Sequence, residues 1–88
     1  MLTELAIKRA IREAAIANAR VKVFDGGGLY LLVKPRKSCG WRFKYRVAGR
    51  EKLLSFGSYP DVPTALARER REEARRHLAA GRDPSVVR

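Results

Sequence analysis

The segment Trp41–Val47, with the sequence WRFKYRV, alternates large apolar side chains with cations. Successive side chains of a β-strand point to opposite faces of the sheet, so this alternation separates the two sets. One set is expected to face a core: Trp41, Phe43, Tyr45 and Val47. The other set forms a row of positive charge: Arg42, Lys44 and Arg46. This strand can therefore bury one face of a sheet and present a cationic surface on the other.

The net charge of the chain narrows the class of partner. The 88 residues carry a formal charge of +11, and a domain this basic usually meets a polyanion. Nucleic acid is the leading interpretation. An anionic membrane surface is disfavoured, because no segment combines a cationic face with a broad face of Leu, Phe or Trp. A third possibility is that the charge serves solubility alone.

Metal, disulfide and targeting features are missing from the sequence. Cys39 is the only cysteine and His77 the only histidine, so neither an intramolecular disulfide nor a zinc site within one chain is expected. We predict no cofactor and no small-molecule substrate. The early charges Glu4, Lys8 and Arg9 argue against a signal peptide or a membrane anchor. The simplest expectation is a cytoplasmic protein.

Two segments have the character of helices. Residues 2–18 place apolar side chains at helical spacing, with Thr3 as the expected N-cap. Residues 63–80 form the second predicted helix, with Asp61 as its expected cap and Gly81 as the residue that closes it. Arginines and glutamates are interleaved along this helix, and we interpret the mixture as a solvated face with local ion pairs.

Four segments have strand character: Val21–Phe24, Leu29–Val33, Trp41–Val47 and Glu51–Phe56. Asp25–Gly28 is interpreted as a turn, because a phosphate-binding loop would need a following Lys-Ser or Lys-Thr and a helix. The short connections require antiparallel neighbours. The predicted class is α+β, with a small antiparallel sheet of three main strands and the first segment as a candidate fourth. The C-terminal helix packs on this sheet, and an N-terminal helix precedes it.

The hairpin Lys34–Lys52 concentrates the charge. It holds eight cations and one acid, Glu51, for a net charge of +7. Arg42, Lys44 and Arg46 are spaced roughly 6.6–6.8 Å apart along a strand, which suits base edges and phosphates in the major groove. The remaining predicted DNA-binding residues lie near the loops or on the next strand: Lys34, Arg36, Lys37, Arg50 and Lys52. Tyr30 is assigned to the core or its rim.

Five segments occur in an order and at a spacing typical of one family: Asp25–Leu32, Trp41–Arg46, Leu54–Pro60, Ala67–Arg68 and Gly81–Pro84. Together they resemble the N-terminal domain of prophage-type and genomic-island-type tyrosine integrases. The resemblance implies an antiparallel sheet that enters the major groove of arm-type DNA sites flanking the recombination core. It places this contact on Arg42, Lys44 and Arg46. Pro63 and Arg71 depart from the family pattern, which commonly has a serine cap and a small apolar residue there.

The same resemblance implies a domain organisation and partners. Residues 1–84 would be the DNA-binding domain, and residues 85–88 would begin a linker to core-binding and catalytic domains. The expected partners are double-stranded DNA and other integrase subunits, and the expected role is non-catalytic support of integration and excision. One alternative is a protein-interaction module that orders integrase subunits or accessory factors, with only non-specific DNA contact. Another is an RNA-binding domain.

Overall fold

A computed structural model describes residues 2–36 and 38–86 of the chain. The elements in chain order are α1 (Glu4–Ala17), β1 (Val21–Gly26), β2 (Leu29–Val33), β3 (Cys39–Val47), β4 (Arg50–Tyr59) and α2 (Thr64–Ala79). All neighbouring strands are antiparallel, and their order in the sheet is their order in the sequence. The predicted α+β class is confirmed, and the candidate first strand is a full member of a four-stranded sheet.

The first helix follows its predicted pattern. The Thr3 hydroxyl accepts a hydrogen bond from the Ala6 amide at 3.1 Å, and Asn18 ends the helix in the left-handed conformation. Ile7, Ala10 and Ala14 lie on one stripe and are buried. These side chains join the core cluster under β1 and β2, so α1 covers the first half of the sheet.

Both helices pack on the same face of the sheet, which leaves the other face uncovered. Cross-strand pairs share a face, and the pairs Leu31–Trp41 and Leu29–Phe43 lie on the helix-covered side. The opposite side, called the open face here, carries Lys22, Phe24, Tyr30, Leu32, Gly40, Arg42, Lys44, Arg46, Glu51, Leu53, Ser55 and Ser58. The alternation in Trp41–Val47 therefore separates core from surface as predicted.

The core is aromatic. Trp41 is fully buried, and its indole Nε1 donates a hydrogen bond to the Val62 carbonyl at 2.7 Å. Phe43 lies between Tyr45 and Phe56, with ring centroids 5.4 and 5.7 Å away. Phe56 reaches this position because the register shifts by one residue opposite Trp41 and Arg42, a β-bulge that turns its side chain into the core.

The start of α2 corrects one prediction. Pro63, not Asp61, is the N-cap residue, and no side chain caps the helix. A proline supplies the extended entry into the helix but has no side-chain oxygen to accept the first amides. The end of α2 is as predicted. Gly81 has a φ of 79°, its amide binds Leu78 O at 3.0 Å, and the Arg82 amide binds His77 O at 2.8 Å, which is a Schellman motif.

A buried carboxylate joins β1, α2 and the chain before α1. The Asp25 side chain is fully buried, and it accepts the Leu2 amide at 3.0 Å, Arg68 Nε at 3.0 Å and Arg71 Nη1 at 2.7 Å. The hydrogen bond from Arg68 is the main reason that the pKa of Asp25 falls to about 2. The prediction of a solvated arginine face on α2 is therefore wrong for Arg68. Arg68 and Arg71 join α2 to β1, and Arg68 also binds the Leu2 carbonyl before α1.

The segment after α2 also packs on the sheet. Asp83 accepts hydrogen bonds from the Tyr45 hydroxyl at 2.8 Å and from Lys52 Nζ at 2.5 Å, and the Ser85 hydroxyl bonds the same carboxylate at 2.8 Å. Pro84 is buried. These contacts hold Asp83 and Pro84 against the helix-covered side of β3 and β4.

Candidate nucleic-acid interface

The open face brings together the three central cations predicted from the alternating strand. Arg42, Lys44 and Arg46 lie on one side of β3, opposite Ser55, Leu53 and Glu51 of β4. Lys44 and Arg46 are exposed, and Arg42 is half-buried. Since no helix covers this side, the row is accessible along the length of the strand.

Arg42 is held to the sheet by hydrogen bonds of its guanidinium group. Its Nη1 donates to the Trp41 carbonyl and to the Ser55 hydroxyl, each at 3.1 Å. These two bonds hold the guanidinium along the sheet. They use only Nη1, so the other N–H donors of the group's five can still bind a ligand. A pre-positioned fork of this kind loses less conformational freedom when it meets a base edge or a phosphate.

Lys44 carries an acidic neighbour. Its Nζ lies 2.6 Å from Glu51 Oε1, and both side chains remain about half exposed. An exposed pair of this kind contributes about 0–1 kcal/mol to stability. Because the pair is weak, an approaching phosphate can replace the carboxylate. Glu51 therefore tunes the charge of the open face without neutralising it.

The loop and turn cations lie at the two ends of this row. Lys34 and Arg36 belong to the β2–β3 loop, which the Lys34 amide closes through a 2.8 Å hydrogen bond to Ser38 O. Lys37 lies outside the described residues. Arg50 follows the Ala48-Gly49 turn at the far end of β3 and is exposed, but it is opposite Val47 and so lies on the helix-covered side of the sheet. Lys34 and Arg36 are thus placed to flank one end of the open face, whereas Arg50 lies at the far end of β3 on the other side of the sheet.

Lys52 has a different position. It is opposite Tyr45 and so lies on the helix-covered side of the sheet. Its ammonium group forms an ion pair with Asp83, and this hydrogen bond raises the pKa of Lys52 and lowers that of Asp83. The structure separates Lys52 from the predicted DNA-binding residues of the open face, and its ion pair helps to hold the segment after α2.

Sequence reasoning missed the contribution of β1 and β2 to the open face. Lys22 and Phe24 lie on this face, and Tyr30 lies beside them. The Phe24 and Tyr30 ring centroids are 5.4 Å apart, and Lys22 Nζ lies 5.4 Å from the centre of the Tyr30 ring. Tyr30 is only 7% exposed but is outside the core cluster. The alternation of Val21–Phe24 was a usable signal for the side on which Lys22 and Phe24 lie.

Each of the three tyrosines contacts another residue of the fold. Tyr45 donates to Asp83, and Tyr30 packs against Phe24. The Tyr59 hydroxyl donates to Glu4 Oε2 at 2.6 Å, and this bond is the main cause that raises the pKa of Tyr59 to about 12. A phenol with a raised pKa forms its nucleophilic phenolate less readily. The surroundings of Tyr59 therefore oppose activation of its oxygen.

Metal sites and membrane spans are both absent from the described residues, 2–36 and 38–86. Among those residues, no cluster of three or more His, Cys, Asp or Glu side chains is placed to hold a metal ion. In the same part of the chain, no helix has both the length and the apolar character needed to cross a membrane.

Comparison with known proteins assigns this architecture to a family. Residues 2–88 match the family described as "Arm DNA-binding domain", and the chain belongs to that family. It is 43% identical over 81 residues to the integrase of Enterobacteria phage P4, a match covering 90% of this chain and 18% of that protein. It is 36% identical over 63 residues to the integrase of Shigella phage Sf6, covering 72% of this chain and 16% of that protein.

A prophage relative gives the same result. The chain is 37% identical over 76 residues to the prophage integrase IntA of Escherichia coli, a match covering 84% of this chain and 18% of that protein. The chain thus spans less than a fifth of the length of the relatives described here. The resemblance to integrases inferred from five sequence segments is confirmed.

Proposed function

We propose that the open face of the sheet binds arm-type sites in duplex DNA by entering the major groove. The observation that carries this proposal is the uncovered row of Arg42, Lys44 and Arg46, backed by a sheet whose other side is closed by two helices. A small sheet face or a two-stranded ribbon fits the major groove of B-DNA. Membership of the Arm DNA-binding domain family supports duplex DNA as the ligand.

Within this surface we assign different roles to the central and the flanking cations. Arg42 and Arg46 are the proposed base readers, because a guanidinium can bind both acceptors of guanine in the major groove. Lys44 sits between them on the same face and contributes a mobile point charge. Its release from Glu51 upon binding would let it contact a base edge or a phosphate.

The flanking cations are proposed to contact DNA phosphates and so to position the sheet on the duplex. Lys34 and Arg36 lie at one end of β3, so they can meet a backbone that borders the groove. Arg50 lies at the other end, opposite Val47, and its proposed phosphate contact is made from the exposed edge of the turn. Lys37 keeps the same proposed role from its sequence position. Lys52 is left out of the proposed surface, because it lies on the opposite side of the sheet and is paired with Asp83.

We infer that the domain supports integration and excision by a tyrosine integrase without taking part in the chemistry. The relatives of this chain are integrases several times its length, which supports catalysis by another part of such a protein. Residues 85–88 are proposed to begin the linker to that part. Other integrase subunits are the proposed protein partners in the full-length context.

The test is a competition experiment in solution. Fluorescence anisotropy would follow a labelled duplex from the element's own attachment region, with unlabelled specific and scrambled duplexes as competitors over a salt series. We expect preference for the attachment duplex and a log–log salt slope near −0.9 per phosphate contacted. Equal competition by the scrambled duplex would contradict sequence reading. Self-association without DNA binding would favour the protein-interaction module, and stronger competition by structured RNA would favour RNA.

A further inference from the structure

An apolar site lies within the cationic open face. Phe24 is 64% exposed and Leu53 is 55% exposed, although both belong to regular strands. They line a shallow depression of about 360 Å³ together with Lys22, Tyr30, Lys44, Glu51 and Lys52. Large exposed apolar side chains inside a charged surface are unfavourable in water and commonly mark a contact site.

The depression lies where β1 pairs with β2. The first residue of β2 on the open face is Tyr30, which pairs with Phe24, and the two rings are tilted by 44° against each other. The buried Tyr30 ring forms the floor of the depression, and the exposed Phe24 ring borders it on one side.

Charge complementarity indicates what enters this depression. Its lining carries three cations, Lys22, Lys44 and Lys52, against one acid, Glu51, which is paired with Lys44. Lys22 Nζ also lies 5.4 Å from the centre of the Tyr30 ring. A ligand for this site must therefore present an apolar group next to negative charge. In the major groove, the apolar group displayed on a base edge is the C5-methyl group of thymine, and the phosphates lie on both sides of it.

We propose that Phe24, supported by Leu53, is a specificity-determining residue that contacts a thymine methyl group in the recognised DNA. This inference rests on the proposed function of the open face, and it names thymine as one of the bases that this face recognises. Arginine forks read guanine, whereas an apolar side chain on the same sheet reads thymine. The recognised sequence should therefore contain at least one thymine whose methyl group contributes to binding.

The experiment removes the methyl group from the DNA and the ring from the protein. The 88-residue chain would select duplexes from a random pool, and each thymine of the selected sequence would be replaced singly by deoxyuridine. Burying one methyl group is worth about fourfold in affinity, so we expect a loss of that size at one or two positions. Phe24→Ala should bind the thymine and deoxyuridine duplexes equally there.

Two further variants keep the test independent of folding. Phe24→Leu retains an apolar contact and should retain part of the methyl sensitivity. Ile16→Ala removes a side chain that is 78% exposed on α1, on the helix side of the sheet, and should bind like the wild type. Thermal unfolding would confirm that each variant is folded at the temperature of the binding assay.

The outcomes separate this inference from the proposed function. If the wild type enriches a sequence but no deoxyuridine substitution weakens binding, the methyl contact is wrong and sequence-specific DNA binding stands. The methyl contact is equally wrong if Phe24→Ala keeps the wild-type sensitivity at every position. If the wild type enriches no sequence at all, the proposed sequence-reading function fails together with this inference.

Discussion

The buried carboxylate of Asp25 gives the sharpest prediction about what holds this domain together. Its side chain is fully buried and binds the Leu2 amide, Arg68 and Arg71 at 2.7–3.0 Å. Asp25→Asn keeps the shape of the side chain but removes its charge. Breaking a buried ion pair costs about 3–5 kcal/mol. The two arginines keep some contact with solvent, so we expect a smaller loss, about 2–3 kcal/mol.

The shifted pKa gives an independent value of similar size. The pKa of Asp25 falls from 3.8 to about 2 in the folded state, which corresponds to a stabilisation of about 2.4 kcal/mol at neutral pH. Because the folded pKa is the lower one, this stabilisation is present above the unfolded pKa and is lost as pH falls through the folded pKa. It should drop to about half by pH 3 and be nearly absent below about pH 2.

The assay is urea unfolding followed by the fluorescence of Trp41, which is the only tryptophan and is fully buried. Asp61→Asn is the matched control, because Asp61 is exposed and should give a near-zero change. The difference between wild type and Asp25→Asn should be about 2–3 kcal/mol near pH 7 and should shrink toward pH 2. An Asp25→Asn midpoint equal to that of the control, or a difference independent of pH, would refute the reasoning.

Two further variants test the open face and the turn beside it. Glu51→Gln should raise affinity for duplex DNA about threefold to tenfold at low salt, because it removes the acid paired with Lys44. Glu13→Gln on α1 is the anisotropy control, and equal affinities of the two variants would contradict the expectation. Gly28→Ala should unfold more readily than Gly26→Ala, by about 1–3 kcal/mol in urea. Both glycines have a φ near +100°, but a Cβ at Gly28 meets the Lys44 carbonyl and the Phe43 ring, whereas Gly26 faces open space. Equal stability of the two variants would show that the positive φ, and not the close contact at Gly28, determines the loss of stability.

The parts of the fold that the sequence predicted are those governed by local pattern. The alternation of Trp41–Val47 determines which side chains are buried, and no distant residue changes that assignment. Thr3 and Gly81 cap their helices through contacts within a few residues. Asp61 failed as a cap because the helix begins after Pro63, and helix boundaries move easily by one or two residues.

The parts that the sequence could not predict depend on residues far apart in the chain. Arg68 is 43 positions from Asp25, and nothing in the local alternation of Arg and Glu on α2 marks it as a partner of a buried acid. Lys52 looked like a surface cation until its register placed it opposite Tyr45, within reach of Asp83. The apolar site at Phe24 likewise required the pairing of β1 with β2.

The measurement that tests the central claim most directly compares two double charge reversals in one DNA-binding assay. Arg42→Glu/Arg46→Glu changes the open face, and Arg12→Glu/Arg76→Glu changes exposed positions on the two helices. Each double variant lowers the formal charge by four, from +11 to +7, so non-specific attraction falls equally in both. If the open face binds DNA, the first variant should lose specific binding and the second should keep its preference for the attachment duplex. Equal losses in the two variants would contradict the account.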